Sequence, residues 1–243
     1  MPKLHIFKDQ PVVISVGGSM IVGSDGPNTK FIQALRGFVK REVKKGRRLV
    51  IVVGGGKTAR RYIEAAKRMT KLTADDLDWL GIHATRLNAH LVRTVLRDVA
   101  HPVVVKDPTR ISLRWKGRVL VAGGWKPGWS TDYVASRIAK RLGSSNIVNI
   151  SNIDFVYDGD PNVAKNAKPM QDVSWSAYRK LVGDVWDPGI SAPFDPVASK
   201  FCQKNGISVA VLGADFANIG RLMNGKSFKG SVLHNVTSIF KRP

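Results

Sequence analysis

The sequence predicts an α/β protein, a three-layer α/β/α sandwich in which helices cover both faces of a mostly parallel central sheet. Three observations carry this expectation. Short runs rich in valine and isoleucine alternate with longer amphipathic segments along the chain. The short runs are apolar throughout rather than at every second position, the pattern of strands buried on both sides. Three of them run into glycine clusters, where the chain turns tightly toward a helix. At 243 residues, with no internal repeat, low-complexity stretch or linker, a single domain over residues 1–243 is expected.

Taken in order, PVVISV (11–16) reads as a buried strand ended by Gly17 and Gly18. Phe31, Leu35, Phe38, Val39 and Val43 recur at spacings of three and four, which lays an apolar stripe along a helix closed by Gly46. RLVIVV (48–53) is a second strand, and Gly54, Gly55 and Gly56 follow it directly before a helix beginning near Lys57. From Ala74 to Val99, Leu77, Leu80, Leu87, Leu91 and Val95 mark a long helix without an internal proline. PVVV (102–105) and RVLVA (118–122) read as two further strands. The second leads into GGWKPGWSTD, where Ser130 or Thr131 caps a helix carrying Val134, Ile138 and Leu142. NIVNI (146–150) is a strand and SNIDFVYDGDPN is rich in turns. WSAYRKLV (175–182) and APFDPVASKFCQKNG (192–206) read as helices, ISVAVL (207–212) as a late strand, and SVLHNV (231–236) as the closing edge of the sheet.

Composition narrows the function classes. Cys202 is the only cysteine, so neither an internal disulfide nor a thiolate zinc site can form, and a reducing compartment, the cytoplasm, is expected. No apolar run has the length of a signal peptide core or a membrane span. The 39 Lys and Arg against 18 Asp and Glu give a formal charge of +21, which attracts phosphate-bearing ligands without specifying one. These cations are scattered through helices such as KREVKKGRR and RRYIEAAKR rather than interleaved with aromatics. A solvated basic surface is therefore preferred to nucleic-acid binding, which the charge leaves open.

The chemistry points to phosphate. Three glycine turns, Gly17–Ser19, Gly54–Thr58 and Gly123–Thr131, each follow a strand and lead toward a helix. In open α/β sheets such turns lie at the carboxyl edge, where ligands bind, so the three are expected to converge. Glycine lets a phosphate approach the backbone, and free N–H groups at a helix start stabilise its charge. GGGKTARR is not a P-loop, because the position that needs its first glycine is Ile51. The dinucleotide fingerprint fits Gly54, Gly56 and Ala59, but Asp75 and Asp76 precede a helix rather than end a second strand. Arg60 and Arg61 lie one turn into the helix, and one of the two is expected to reach a phosphate held at its start. Asp132 serves either the dipole of its helix or an acid that orients a lysine or a magnesium ion at the phosphates. Asp195, before Pro196, reads as a helix start. Asp154, Asp158 and Asp160 lack EF-hand spacing and read as turn residues. The five histidines form no metal-like pair, and no metal-ligand set is assigned.

Five segments together resemble the uridylate (UMP) kinases, especially the archaeal-type branch of the amino acid kinase family. They are VVGGGKTARRYIEAA, LDWLGIHATRLNAHLV, VAGGWKPGWSTDYVAS, NISNIDFVYDGDPN and FDPVASK, in the family's order from Val12 to about Val232. The resemblance implies the amino acid kinase fold and, as the activity, transfer of the ATP γ-phosphoryl group to UMP within pyrimidine nucleotide biosynthesis, with ATP and Mg2+ as cofactors. It implies ATP phosphates at Gly18, Ser19, Gly56 and Arg60, and adenine and ribose at Ser151, Asn152, Tyr157 and Asp160. The UMP phosphate would face Gly55, Asp78 would contact its ribose, and Trp125, Lys126, Pro127, Gly128, Trp129, Ser130 and Thr131 would form the acceptor-binding loop. Asp132 and Asp195 would flank the transferred group as catalytic acids. The resemblance also implies a homo-oligomer, a hexamer built as a trimer of dimers.

Two departures stand out. Many relatives carry a lysine on the first strand, where this sequence has Ser15, and Lys57 and Lys126 are candidates to compensate. Trp125 and Trp129 are bulky for an acceptor loop; they either stack on a base, narrow the pocket, or serve packing or oligomer contacts. The alternatives to UMP kinase are another small-molecule kinase of this fold, acting on acetylglutamate, carbamate or isopentenyl phosphate, and a non-catalytic phosphate- or nucleic-acid-binding relative.

Overall fold

The computed structural model describes residues 2, 4–7, 9–115, 117–159, 164, 166–184 and 192–235. The first half comprises β1 (Val12–Val16), the single turn α1 (Gly18–Ile21), β2 (Val22–Gly23), β3 (Gly26–Pro27), α2 (Thr29–Lys44), β4 (Leu49–Val53), α3 (Gly56–Met69), α4 (Ala74–Val95) and β5 (Val119–Ala122). The second half comprises α5 (Thr131–Leu142), β6 (Asn146–Ile150), β7 (Val156–Tyr157), β8 (Pro169–Met170), β9 (Asp172–Ser174), α6 (Trp175–Val182), α7 (Pro196–Lys204), β10 (Ser208–Leu212), α8 (Phe216–Met223) and β11 (Ser231–His234).

The continuous apolar runs become the centre of a seven-stranded sheet in the order β5-β4-β1-β6-β10-β11-β9. The first five strands are parallel, β11 runs antiparallel to β10, and β9 is parallel to β11. β1 and β4 are buried along their full length because both faces are covered, which is why neither alternates in polarity. Ile14, Val16, Ile51 and Val53 meet Leu35, Phe38 and Val39 of α2, Ala89 and Val92 of α4, and Ile219 and Leu222 of α8. On the other face Val13, Val50, Val52 and Val209 meet Val134 and Ile138 of α5, Trp175 and Tyr178 of α6, and Ala198 and Cys202 of α7. The three expected layers are present.

From β1 the chain steps outward to β4 and β5, then returns to β6 and β10 on the other side. The order therefore reverses between β1 and β6, and the crevice for a ligand lies beyond the carboxyl ends of these strands. Register brings those ends level. Val16 pairs with Val53 and with Ile150, and Ile150 pairs with Leu212, so four strands finish in one row.

Several sequence expectations are corrected. PVVV forms no strand; Ala100 and Val105 make single bridges to Val119 and Ala122, since the bend around Pro102 leaves no run of consecutive pairs along β5. The helix expected over 192–206 begins at Pro196, where the ring suits the first helical position but bars continuation upstream. SVLHNV is not the sheet edge, because β9 pairs outside β11. α4 ends at Val95, and its buried face is Ile82, Ala84, Thr85, Asn88, Ala89 and Val92 rather than the leucines; Leu87 is 63% exposed. Ala89 and Val92 on this face join the sheet core, while Ile82, Thr85 and Asn88 lie against the glycine backbone of the bends. α8 and β9 were not anticipated.

Candidate functional site

The first two glycine turns touch backbone to backbone. Gly17 N–H bonds to Ile150 O at 2.9 Å and Gly54 N–H to Val16 O at 3.0 Å, so both bends emerge side by side from neighbouring strands. A Cβ added to Gly18 would lie 2.0 Å from Gly56 N, and one added to Gly56, at φ +59°, would lie 2.2 Å from Gly18 O. Only glycine permits this approach. It presents amide groups of Gly18, Ser19 and Gly56 at the starts of α1 and α3 over one crevice.

α4 fastens the second and third bends together. Asn88 Nδ2 donates to Gly54 O at 2.9 Å and to Gly55 O at 3.0 Å. Thr85 Oγ1 accepts from Gly124 N–H at 2.6 Å, while Arg86 donates to Gly124 O at 3.1 Å and to Trp125 O at 2.8 Å. About two turns nearer the N-terminus of α4, Asp78 Oδ2 accepts from Gly128 N–H at 2.6 Å. Asp78 thus belongs to the same rim as the Trp125–Thr131 loop.

The two acids meet beside these bends. Ser130 caps α5 by accepting from Tyr133 N–H at 3.0 Å, which sets Asp132 in the first turn. Asp132 Oδ1 accepts from Ser15 Oγ at 2.8 Å, and Oδ2 accepts from the backbone N–H of Asp195 at 3.2 Å. Asp132 is partly accessible as a residue, yet protein encloses its carboxyl group; burial and the neighbouring Asp195 carboxyl push it up to about 7, against the two hydrogen bonds. Asp195 caps α7 by accepting from Ala198 N–H, as expected of a helix start, and is also 4% exposed with Oδ2 free of any hydrogen bond. Burial raises its carboxyl as well. The segment leading to it is pinned: Tyr178 OH donates to Phe194 O and accepts from Phe194 N–H, each at 2.7 Å, and Asn149 Nδ2 donates to Pro193 O at 2.8 Å.

Lys57 and Arg60 are exposed at the start of α3, without a hydrogen bond or ion pair among the described residues. Arg61 instead donates to Ser24 O in the β2–β3 hairpin, so of the two adjacent arginines Arg60 is the one without a partner among the described residues. Lys126 is exposed and lies over the Trp125 ring at 4.7 Å. Ser151 and Asn152 follow β6 in the row of strand ends, and Tyr157 lies in β7. Asp160 falls outside the described residues. Asp154 and Asp158 lie in bends, as expected, but their carboxylates make contacts far along the chain: Asp154 pairs with Lys229, and Asp158 accepts from Lys168 N–H at 2.7 Å.

Sequence reasoning missed Thr85, Arg86 and Asn88, which position the bends, and Asn149, which holds the segment at Pro193. The available signal was a polar pair, Thr85 and Asn88, inside an otherwise apolar helix face. At this rim, amide groups and exposed cations lie beside two enclosed acids, an arrangement suited to moving a phosphoryl group between two anions.

The family described as the Amino acid kinase family matches residues 10–213. Among curated proteins, the chain is 37% identical over 209 residues to a uridylate kinase of Pyrococcus abyssi, covering 83% of this chain and 89% of that one. It is 36% identical over 230 residues to a uridylate kinase of Hyperthermus butylicus, covering 92% and 97%. Among solved structures it resembles the uridylate kinase of Archaeoglobus fulgidus with a TM-score of 0.78 and 29% identity, covering 92% of this chain and 99% of that one. The UMP kinase of Bacillus anthracis shares the fold at a TM-score of 0.76 and 18% identity, covering 94% and 97%.

Proposed function

Since the chain belongs to the amino acid kinase family, we propose that it transfers the γ-phosphoryl group of ATP to the phosphate of UMP, giving UDP and ADP. An oxygen of the UMP phosphate forms the new bond to phosphorus as the bond to the ADP oxygen breaks, and no side chain becomes covalently modified. The observation that carries this reading is the contact of the Gly18 and Gly56 backbones beside Asp132 and Asp195, which supports two phosphates meeting end to end.

ATP, taken as its magnesium complex, lies with its phosphates on the amides of Gly18, Ser19 and Gly56 and against Arg60, with Lys57 supplying charge in place of the strand lysine that Ser15 replaces. Its base and ribose lie along Ser151, Asn152 and Tyr157. Gly55 faces the UMP phosphate, Asp78 takes a ribose hydroxyl through Oδ1, and Trp125–Thr131 closes over the acceptor. The buried Asp195 Oδ2, without a hydrogen bond, and the adjoining Asp132 carboxyl fit a divalent cation beside the phosphates; the ion would neutralise charge there. Catalysis is positioning and electrostatics.

The same reading places the enzyme in pyrimidine nucleotide synthesis in the cytoplasm, as one domain assembled into a hexamer. α3 contributes no buried residue, and Tyr62, Trp79 and Leu87 of α3 and α4 are exposed, which supports a second copy covering this face. Among the described residues no helix is long and apolar enough to cross a membrane. Measuring ADP release with UMP, CMP, AMP, carbamate, acetylglutamate and isopentenyl phosphate tests the assignment. UMP is expected to be the preferred acceptor; turnover of another with none of UMP overturns it. RNA binding that weakens steeply with salt, with no ADP release from any acceptor, marks a non-catalytic binder instead.

A further inference from the structure

The bend read above as the acceptor loop is fastened on two sides. Toward α4 the ties are polar, through Asp78, Thr85 and Arg86. Toward α5 they are aromatic. Trp125 and Trp129 stack with centroids 6.4 Å apart and planes 22° apart, and Trp129 stacks closer on Tyr133, at 4.1 Å and 18°. Tyr133 then meets Phe201 of α7 edge-on at 5.4 Å. Trp129 directly precedes the helix cap Ser130, so its stacking on Tyr133 ties the entering chain to the first turn of α5. Asp132 lies between these two rings in sequence, so the same contact bears on the acid.

Arg137 lies beside this row. Its guanidinium carbon is 5.9 Å from the Trp125 ring centre, 6.0 Å from Tyr133 and 5.5 Å from Phe201, and Nη1 donates to Tyr133 OH at 3.4 Å. Each distance is within the range over which a cation is attracted to a ring face. No carboxylate pairs with Arg137 among the described residues, so its partners are the rings themselves. Its planar group can lie against several rings at once, which a lysine ammonium cannot reproduce fully. Tryptophans engaged in this way brace the loop.

We infer that Arg137 is a positioning residue for the acceptor: by joining Trp125, Tyr133 and Phe201 into one block across α5 and α7, it holds the Trp125–Thr131 loop in place and thereby sets the affinity for UMP. The inference rests on the acceptor-loop reading given above. It names a residue outside the phosphate bends, two turns along α5, whose loss is felt by one substrate and not the other.

The test is steady-state kinetics on Arg137→Met and Arg137→Lys, with UMP and ATP varied in turn and thermal melting recorded. Arg137→Met keeps the length and apolar stem of the side chain and removes the cation. It is expected to raise KM for UMP on the order of tenfold, with KM for ATP within about twofold of the parent, as the loss of a shared cation–ring contact implies. Arg137→Lys is expected to recover most of that loss. An Arg137→Met enzyme whose KM for UMP stays within about twofold overturns the inference, and so does a parallel rise in both KM values with a lowered melting temperature, the mark of a general packing role. If the unsubstituted chain turns over no UMP, the acceptor reading fails first and the inference with it; a competent parent with an indifferent Met variant sinks the inference alone.

Discussion

Replacing Gly18 by alanine puts a Cβ 2.0 Å from Gly56 N and 2.7 Å from both Gly54 C and Gly55 N. All three are backbone atoms, so no side chain can swing aside to make room. To reach an ordinary contact the two bends must part by about 1.4 Å. Forcing extra volume into packed structure costs about 1–3 kcal/mol, and for a chain of this length each kcal/mol lowers the melting temperature by roughly 2–4 °C. The loss of activity is expected to be larger, because displacing a reacting group by about 1 Å costs on the order of a hundredfold in rate. Gly220→Ala is the matching control: it lies in α8 with open space around its Cβ position, and alanine there is expected to add about 0.5–1 kcal/mol of helix stability without touching turnover. ADP release and thermal melting on both variants measure the difference. Retention of parental turnover within about threefold by Gly18→Ala, at an unchanged melting temperature, refutes the interlocked-bend geometry.

Arg60→Ala removes an exposed cation with no partner among the described residues, so the melting temperature is expected to hold while turnover falls about tenfold to a hundredfold, the worth of a charge-assisted contact to phosphate; unchanged turnover makes Arg60 a surface residue only. Asn88→Ala leaves Gly54 O and Gly55 O without their shared donor, and a loss of about 1–3 kcal/mol with reduced turnover is expected in denaturant melts and the ADP assay; parental stability contradicts the role assigned to α4. Asp132 holds its proton up to about 7 in the folded chain, while an unfolded aspartate ionises near 3.8. Between those values unfolding releases a proton, so this group's contribution to stability is full below about pH 4 and is lost as pH rises through about 7. Melting temperatures measured from pH 5 to 8 are expected to fall more steeply for the parent than for Asp132→Asn; identical slopes contradict the raised carboxyl.

Much of the architecture was legible because buried parallel strands leave a plain trace, short runs dominated by valine, isoleucine and leucine, several of them closed by glycine. β1, β4, β5, β6 and β10 all follow that trace to within a residue or so at each end. β9 left none, since three residues, Asp172, Val173 and Ser174, carry too little pattern to distinguish a strand from a turn. The orientation of α4 was misread for a physical reason: leucines dominate its periodicity, but the face toward the glycine bends carries Thr85 and Asn88, whose side chains are buried because they hydrogen-bond the backbone of the bends. The acids were legible singly, as a helix-start aspartate and an aspartate before proline. Their pairing was not, because Asp132 and Asp195 are brought together only by the packing of α5 against α7 and by the tether of Tyr178 to Phe194. Arg137 carried no motif at all, and its aromatic neighbours come from a loop and two helices.

A crystal structure with UMP and a non-hydrolysable ATP analogue bound together tests the central claim most directly. The account predicts the terminal phosphate of the analogue on the amides of Gly18, Ser19 and Gly56, and the UMP phosphate facing it at Gly55 with Asp132 and Asp195 alongside. Electron density that places the two phosphates on separate surfaces, or leaves the Gly18–Gly56 contact without either, contradicts it.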